Sequence, residues 1–357
     1  MPKKIVPALI AGLLLLTTAC SSGETPTPSG SETPTGSATP TAEIPTVDNL
    51  DAVKVEGKIG EDPKVEFTAP MAVATPMNKI IEEGKGHKLE GTEYIYLNYL
   101  GINARTGNEF DGTWADPNAS ASETAADPSA SPSPTPTAAV KRETTPTIFG
   151  LSELIPGFAK AIKGVPVGSR VLLGIPSSEA YDSQGGVASI DIKVGDSLFF
   201  VVDVLDASYA QATGKETTGN EWADKLGYKV EDGVPSLTIP EGTAAPEKMV
   251  AETLIEGESS STIPDASKEE NASGTILTNF KAYSLKTGQE VTAWTKNDIG
   301  VLAKAIPGWI SGLKDKKIGS RVLLVLPPED GFPEGSNDPA LEAGDTIVYI
   351  VDILWYM

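Results

Sequence analysis

Apolar and polar positions follow one another along this chain in an order that occurs twice. In "TEYIYLNYLG" (residues 92–101) they alternate and are rich in aromatic and β-branched side chains. That period predicts a strand running into a turn at "RTGNE" (105–109). After "IPG" (155–157), Phe158, Ala161 and Ile162 fall at helical spacing, which predicts a short amphipathic helix ended by Gly164 and Pro166. "SRVLLGI" (169–175) and "DSLFFVVDVL" (196–205) predict two further strands. Several strands around one short helix give an α+β domain built on an antiparallel sheet.

The same signals then return. "IPGFAKAIKGVPVGSRVLLGIPSSEAY" (155–181) is answered by "IPGWISGLKDKKIGSRVLLVLPPEDGF" (306–332). "RTGNEF" (105–110) is answered by "KTGQEV" (286–291), and "VGDSLFFVVDVL" (194–205) by "AGDTIVYIVDIL" (343–354). "IIEEG" (80–84) has a counterpart in "LIEG" (254–257). This is a tandem duplication of a unit of roughly 120 residues, an ordinary domain size. Its first copy is expected over 47–207 and its second over 234–357, with a linker at 208–233 in which residues 222–228 pack locally. Only the first copy carries the low-complexity stretch after Trp114, expected as a disordered loop insertion over about 115–143.

The N-terminus adds an address. "MPKKIVPALIAGLLLLTTAC" has a basic start at Lys3 and Lys4, a short apolar run and small residues before Cys20. The run is too short to span a bilayer and predicts a signal peptide over 1–19. It resembles a bacterial lipoprotein signal, which implies lipidation of Cys20 and a membrane anchor on the extracytoplasmic side. Residues 20–46, rich in Ser, Thr, Pro and Gly, predict a disordered stalk. Cys20 is the only cysteine, so no intramolecular disulfide and no thiolate metal site is expected. The net charge of −21 and pI near 4.5 argue against nucleic acid as a partner. His87, the only histidine, has no nucleophile beside it in sequence and is expected on an exposed loop rather than in a hydrolase triad or a zinc site.

The order of motifs resembles the FKBP-type peptidyl-prolyl cis-trans isomerases. In the first copy the resemblance rests on "YLG" (99–101), "EFD" (109–111), "ELIPGF" (153–158), "VGSRVLLGIPSSEAYD" (167–182) and "SLFFVVDVL" (197–205). It covers nearly all of both copies and implies two FKBP-like domains, each an antiparallel sheet wrapped around a short α-helix. It further implies a pocket in the first copy formed by Tyr99, Phe110, Asp111, Leu154, Ile155, Phe158, Tyr181, Ile192 and Phe200. Within it Asp111, the Tyr181 hydroxyl and the Ile155 N–H carry the catalytic weight. Asp182 stands where the family usually has glycine, and "TTPTIFG" (144–150) offers no obvious counterpart to an aromatic that the family often places there.

The second copy departs at the functional positions. Phe280, Val291, Thr292, Phe332 and Tyr349 stand for Tyr99, Phe110, Asp111, Tyr181 and Phe200, while Ile306 and Trp309 keep the floor. The expectation is a monomeric, lipid-anchored isomerase that needs no cofactor and acts on proline-containing exported chains. Its second copy is inactive or binds only. The rival expectation is a non-catalytic holdase that uses both grooves.

Overall fold

The computed structural model describes residues 44–114 and 144–357. The expected signal peptide, Cys20, the stalk as far as residue 43 and the insertion at 115–143 lie outside the described residues.

Two six-stranded antiparallel sheets follow one another. A hairpin of β1 (Lys54–Glu56) and β2 (Lys64–Glu66) precedes the first sheet. That sheet contains β3 (Met77–Glu82), β4 (Tyr94–Asn103), β5 (Glu109–Gly112), β6 (Thr147–Gly150), β7 (Arg170–Ile175) and β8 (Leu198–Ala207). Its order is β3-β7-β8-β4, and β5 and β6 share the far edge of β4. Helix α1 (Pro156–Ile162) starts with proline at its first position, where no intrahelical N–H is missed, and buries Phe158, Ala161 and Ile162 against the sheet. A Cβ at Gly157 would lie 2.4 Å from Ile175 Cγ2, so glycine sets how closely helix and strand approach.

The second half repeats this plan. It contains β9 (Gly214–Glu216), α2 (Glu221–Lys225), a hairpin of β10 (Lys229–Glu231) and β11 (Val234–Ser236), and β12 (Val250–Gly257). Then come β13 (Thr275–Ser284), β14 (Glu290–Val301), α3 (Pro307–Leu313), β15 (Arg321–Leu326) and β16 (Ile347–Tyr356). The second sheet runs β9-β12-β15-β16-β13-β14. Register fixes the correspondence: Phe200 lies opposite Gly101 and Val202 opposite Tyr99, as Tyr349 lies opposite Ala282 and Val351 opposite Phe280. Where the first sheet has β5 and β6 on either side of the insertion, the second has the unbroken strand β14.

The central strands are apolar at successive positions because both faces of each sheet are covered. On the helix side of the first sheet Val171, Leu173, Leu198, Val202 and Val204 pack with Phe158 and Ile162. On the other face Leu100, Ile102, Leu172, Phe199 and Val201 meet Leu50, Val53, Met71 and Val73 from residues 44–76, which form an apron over the sheet. The second sheet has its own apron: Ala223, Leu226 and Leu237 cover Leu323, Val325, Val348 and Ile350.

A buried ion pair fastens each apron. Arg170 donates from Nε and Nη2 to Asp203 at 2.6 and 2.8 Å, and both side chains are fully buried. Arg170 Nη2 also donates to Glu61 O, and Asp203 Oδ2 accepts the N–H of Gly60. The copy is Arg321 with Asp352 at 2.6 and 2.8 Å, bonded to the Tyr228 hydroxyl and the Ala212 N–H respectively. The segment expected as a linker at 208–233 is therefore built into the second module. Strand β9 extends its sheet, and Ala223 of α2 with Leu226 covers its outer face. Sequence pattern missed this because these elements are three to five residues long, too short to display a period.

The modules also touch. Leu277, Leu354 and Trp355 of the second pack with Tyr94, Tyr96 and Tyr209, and Trp355 Nε1 donates to Asp206 at 2.8 Å. His87, expected on an exposed loop, is half-buried here and stacks on Tyr209 with ring centroids 4.1 Å apart. Its Nε2 lies 3.1 Å from Ser208 O. No described helix is long and apolar enough to cross a membrane.

Candidate functional site

Strand β8 puts Phe200 on the helix side of the first sheet, and α1 puts Phe158 beneath it, with ring centroids 5.3 Å apart and planes at 75°. Phe110, from β5, meets the opposite edge of Phe200 at 5.7 Å and 88°. Such edge-to-face pairs hold aromatic walls in a fixed shape. Gly101 makes the arrangement possible, since a Cβ there would lie 2.7 Å from Phe110 Cζ and 3.1 Å from Phe200 Cε1.

Phe158, Ile192 and Phe200 form a buried floor, and Tyr99, Phe110, Leu154, Ile155 and Tyr181 are half-buried around it in the same apolar cluster. Asp111 is exposed at the rim and accepts a hydrogen bond from the Tyr99 hydroxyl at 2.7 Å. The structure thus brings together all nine expected residues. Burial, and then the Asp111 carboxylate, push the Tyr99 hydroxyl well above the usual tyrosine value and raise that of Tyr181, so both remain proton donors at neutral pH. The Ile155 N–H, just before α1, donates to no other described residue. An apolar floor, one hydroxyl and one free N–H at its edge suit a flat, weakly polar group with carbonyl oxygens on either side.

Phe149 was missing from the expected set. The stretch before α1 does supply an aromatic: Phe149 packs edge-on against Tyr99 at 5.9 Å and 73°. The short alternation "TIF" was the available signal, obscured by the low-complexity run before it. Asp182, in the family's glycine position, accepts the Gly195 N–H at 2.8 Å and ties down the loop after Tyr181.

In the second module Trp309, Phe280 and Tyr349 form a similar aromatic floor, with centroids 5.3 to 6.1 Å apart. The exchanges there are correlated. Val291 replaces Phe110, and Ala282 replaces Gly101, whose Cβ the larger ring excludes. Gly300 replaces Phe149, and a Cβ there meets nothing within 4 Å, so the mouth is open on that side. Phe332 and Thr292 supply neither the Tyr181 hydroxyl nor the Asp111 carboxylate.

The sequence profile of FKBP-type peptidyl-prolyl cis-trans isomerases matches residues 135–205. A probable FK506-binding protein of Corynebacterium glutamicum is 31% identical over 124 residues, which span 34% of this chain and 96% of that protein. An FK506-binding protein of Streptomyces anulatus is 27% identical over 147 residues, 41% of this chain and 96% of the relative. Among solved structures, the three FKBP domains of wheat FKBP73 align with a TM-score of 0.31 at 14% identity, covering 79% of this chain and 94% of that one. With a relative 31% identical and matched almost end to end, this chain belongs to the FKBP-type peptidyl-prolyl cis-trans isomerase family.

Proposed function

We propose that the first module is a peptidyl-prolyl isomerase acting on exported polypeptides, and that the second binds without catalysing. The carrying observation is the aromatic cup of Phe110, Phe158 and Phe200 with the Tyr181 hydroxyl and the Tyr99–Asp111 pair at its rim. Rotation about an X-Pro bond faces a barrier of about 18–20 kcal/mol because amide resonance is lost at the twisted midpoint. No covalent bond to the protein is required. The twisted group is less polar than the planar amide, so a dry aromatic cup desolvates it at lower cost and binds the transition state in preference to the ground state.

In this reading the Ile155 N–H and the Tyr181 hydroxyl hold the carbonyls flanking the proline, and Asp111 orients Tyr99 over the ring. A lipid on Cys20 would hold the protein at the outer face of the cell membrane, and the acidic chain would stand off from anionic headgroups. A protease-coupled isomerisation assay on the full chain, with Tyr181→Phe and Asp111→Ala beside it, tests the assignment. Activity that both substitutions leave untouched would move catalysis elsewhere. The holdase reading draws on the second cup, where the hydroxyl and carboxylate are missing. It predicts suppression of client aggregation with no acceleration of prolyl rotation.

A further inference from the structure

The rims of the two cups differ in charge as well as in shape. In the first, Lys160 of α1 pairs with Glu179 at 2.6 Å, and Arg105 holds Asp196 at 2.8 Å and Asp191 at 3.1 Å. In the second, the position of Lys160 is Ser311, whose hydroxyl turns back to Pro307 O, so Asp330 at the position of Glu179 has lost its lysine. The loop from Pro327 to Asp345 carries Glu329, Asp330, Glu334, Asp338, Glu342 and Asp345, with no lysine or arginine. Glu342 is paired with Lys286, and Asp345 is buried against the Ser284 hydroxyl. Glu329, Asp330, Glu334 and Asp338 have no ion pair with any described residue.

Asp330 lies beside the cup: its carbonyl oxygen is 2.9 Å from where a Cβ on Gly308, at the start of α3, would stand. Asp338 acts on the hydroxyl of Tyr349, a wall residue, which burial and then that charge hold above the ordinary tyrosine value. Burial, and then Glu329, raise the Asp330 carboxyl. Lys304 stands exposed where the first module has Glu153. Apolar width has increased at the same site, through Val291 for Phe110 and Gly300 for Phe149.

Resting on the reading of the second module as a binder, we propose that its cup takes unfolded polypeptide at a bulky apolar residue next to proline, selected by flanking lysine or arginine. The widened mouth admits the bulky side chain, the aromatic floor takes the ring, and the unpaired carboxylates meet the flanking cations. Clients would then be sorted by charge at a site separate from the one that rotates their prolines.

Trp309 is the one tryptophan of either cup, so its indole N–H resonance, assigned with Trp309→Phe, reports occupancy of the second cup in the full chain. The probes are blocked tetrapeptides Lys-Phe-Pro-Lys, Ala-Phe-Pro-Ala and Glu-Phe-Pro-Glu. The expected order of affinity is basic over neutral over acidic, with about tenfold between the extremes at low salt, shrinking to about twofold near 0.5 M salt. Asp330→Asn, at a half-buried position, with Asp338→Asn, at an exposed one, should erase most of that difference while the neutral peptide still binds. Equal affinities, a preference for the acidic peptide, or a preference unchanged in the double variant would overturn charge selection and leave the binder reading standing. A Trp309 signal that no peptide moves would overturn the binder reading itself.

Discussion

At the scale of single residues, the two cups differ most in what Tyr181 and Asp111 offer and Phe332 and Thr292 do not. On the proposed mechanism, Tyr181→Phe removes one donor from a substrate carbonyl that the cup desolvates, a loss of about 1–3 kcal/mol. The expected outcome is a fall in kcat/KM of about tenfold or more, with the melting temperature nearly unchanged, read by the coupled isomerisation assay. The raised tyrosines also set a pH window. Tyr99 and Tyr181 stay protonated past the usual value near 10, so no loss of activity from their ionisation is expected below it. Because their folded values lie above the unfolded ones, their stabilising contribution is complete below about pH 10 and is lost as pH climbs through the raised values. Urea midpoints measured on either side of about pH 10 should therefore fall with alkalinity, and less so in Tyr99→Phe. The placement of Tyr181 and Asp111 at the cup was legible in sequence from the order of the motifs around them. Phe149 was not, since one aromatic beside a low-complexity run carries no period of its own.

At the scale of elements, strand and helix positions could be read from apolar spacing, but the second layer over each sheet could not. The runs in β7 and β8 reveal only that both faces are buried. What covers the outer face, residues 44–76, contributes Leu50, Val53, Met71 and Val73 from pieces too irregular to form a pattern. Likewise, nothing in the sequence couples Arg170 to Asp203, thirty-three positions apart, until β7 and β8 lie side by side. Asp203→Asn strands a guanidinium inside the protein and should cost about 3–5 kcal/mol, measured by denaturant unfolding. Arg321 and Asp352 should behave alike in the second module. The basic run "KDKK" (314–317), just after α3, shows the same limit. Lys316 is partly buried and donates to Thr253 Oγ1 at 2.8 Å, while Lys317 pairs with Glu256 at 2.6 Å, partners that no local reading reveals.

At the scale of the whole molecule, the duplication and the order of its motifs were legible, but the contact between modules was not. Trp355 and Asp206 meet across 149 positions of chain, and Tyr209 joins through His87 and the Leu354 carbonyl. The described residues 44–114 and 144–357 accordingly hold together as one unit. The wild-type protein should melt in one calorimetric transition, whereas Tyr209→Ala combined with Trp355→Phe should divide it into two. The repeated apron has a historical consequence as well. Its hairpin and its arginine pin occur in both halves, as expected if a single-module ancestor already wore this covering when its gene was copied. On that descent the isomerase fold was inherited as a clothed unit, and later divergence was left to the cups and their lips.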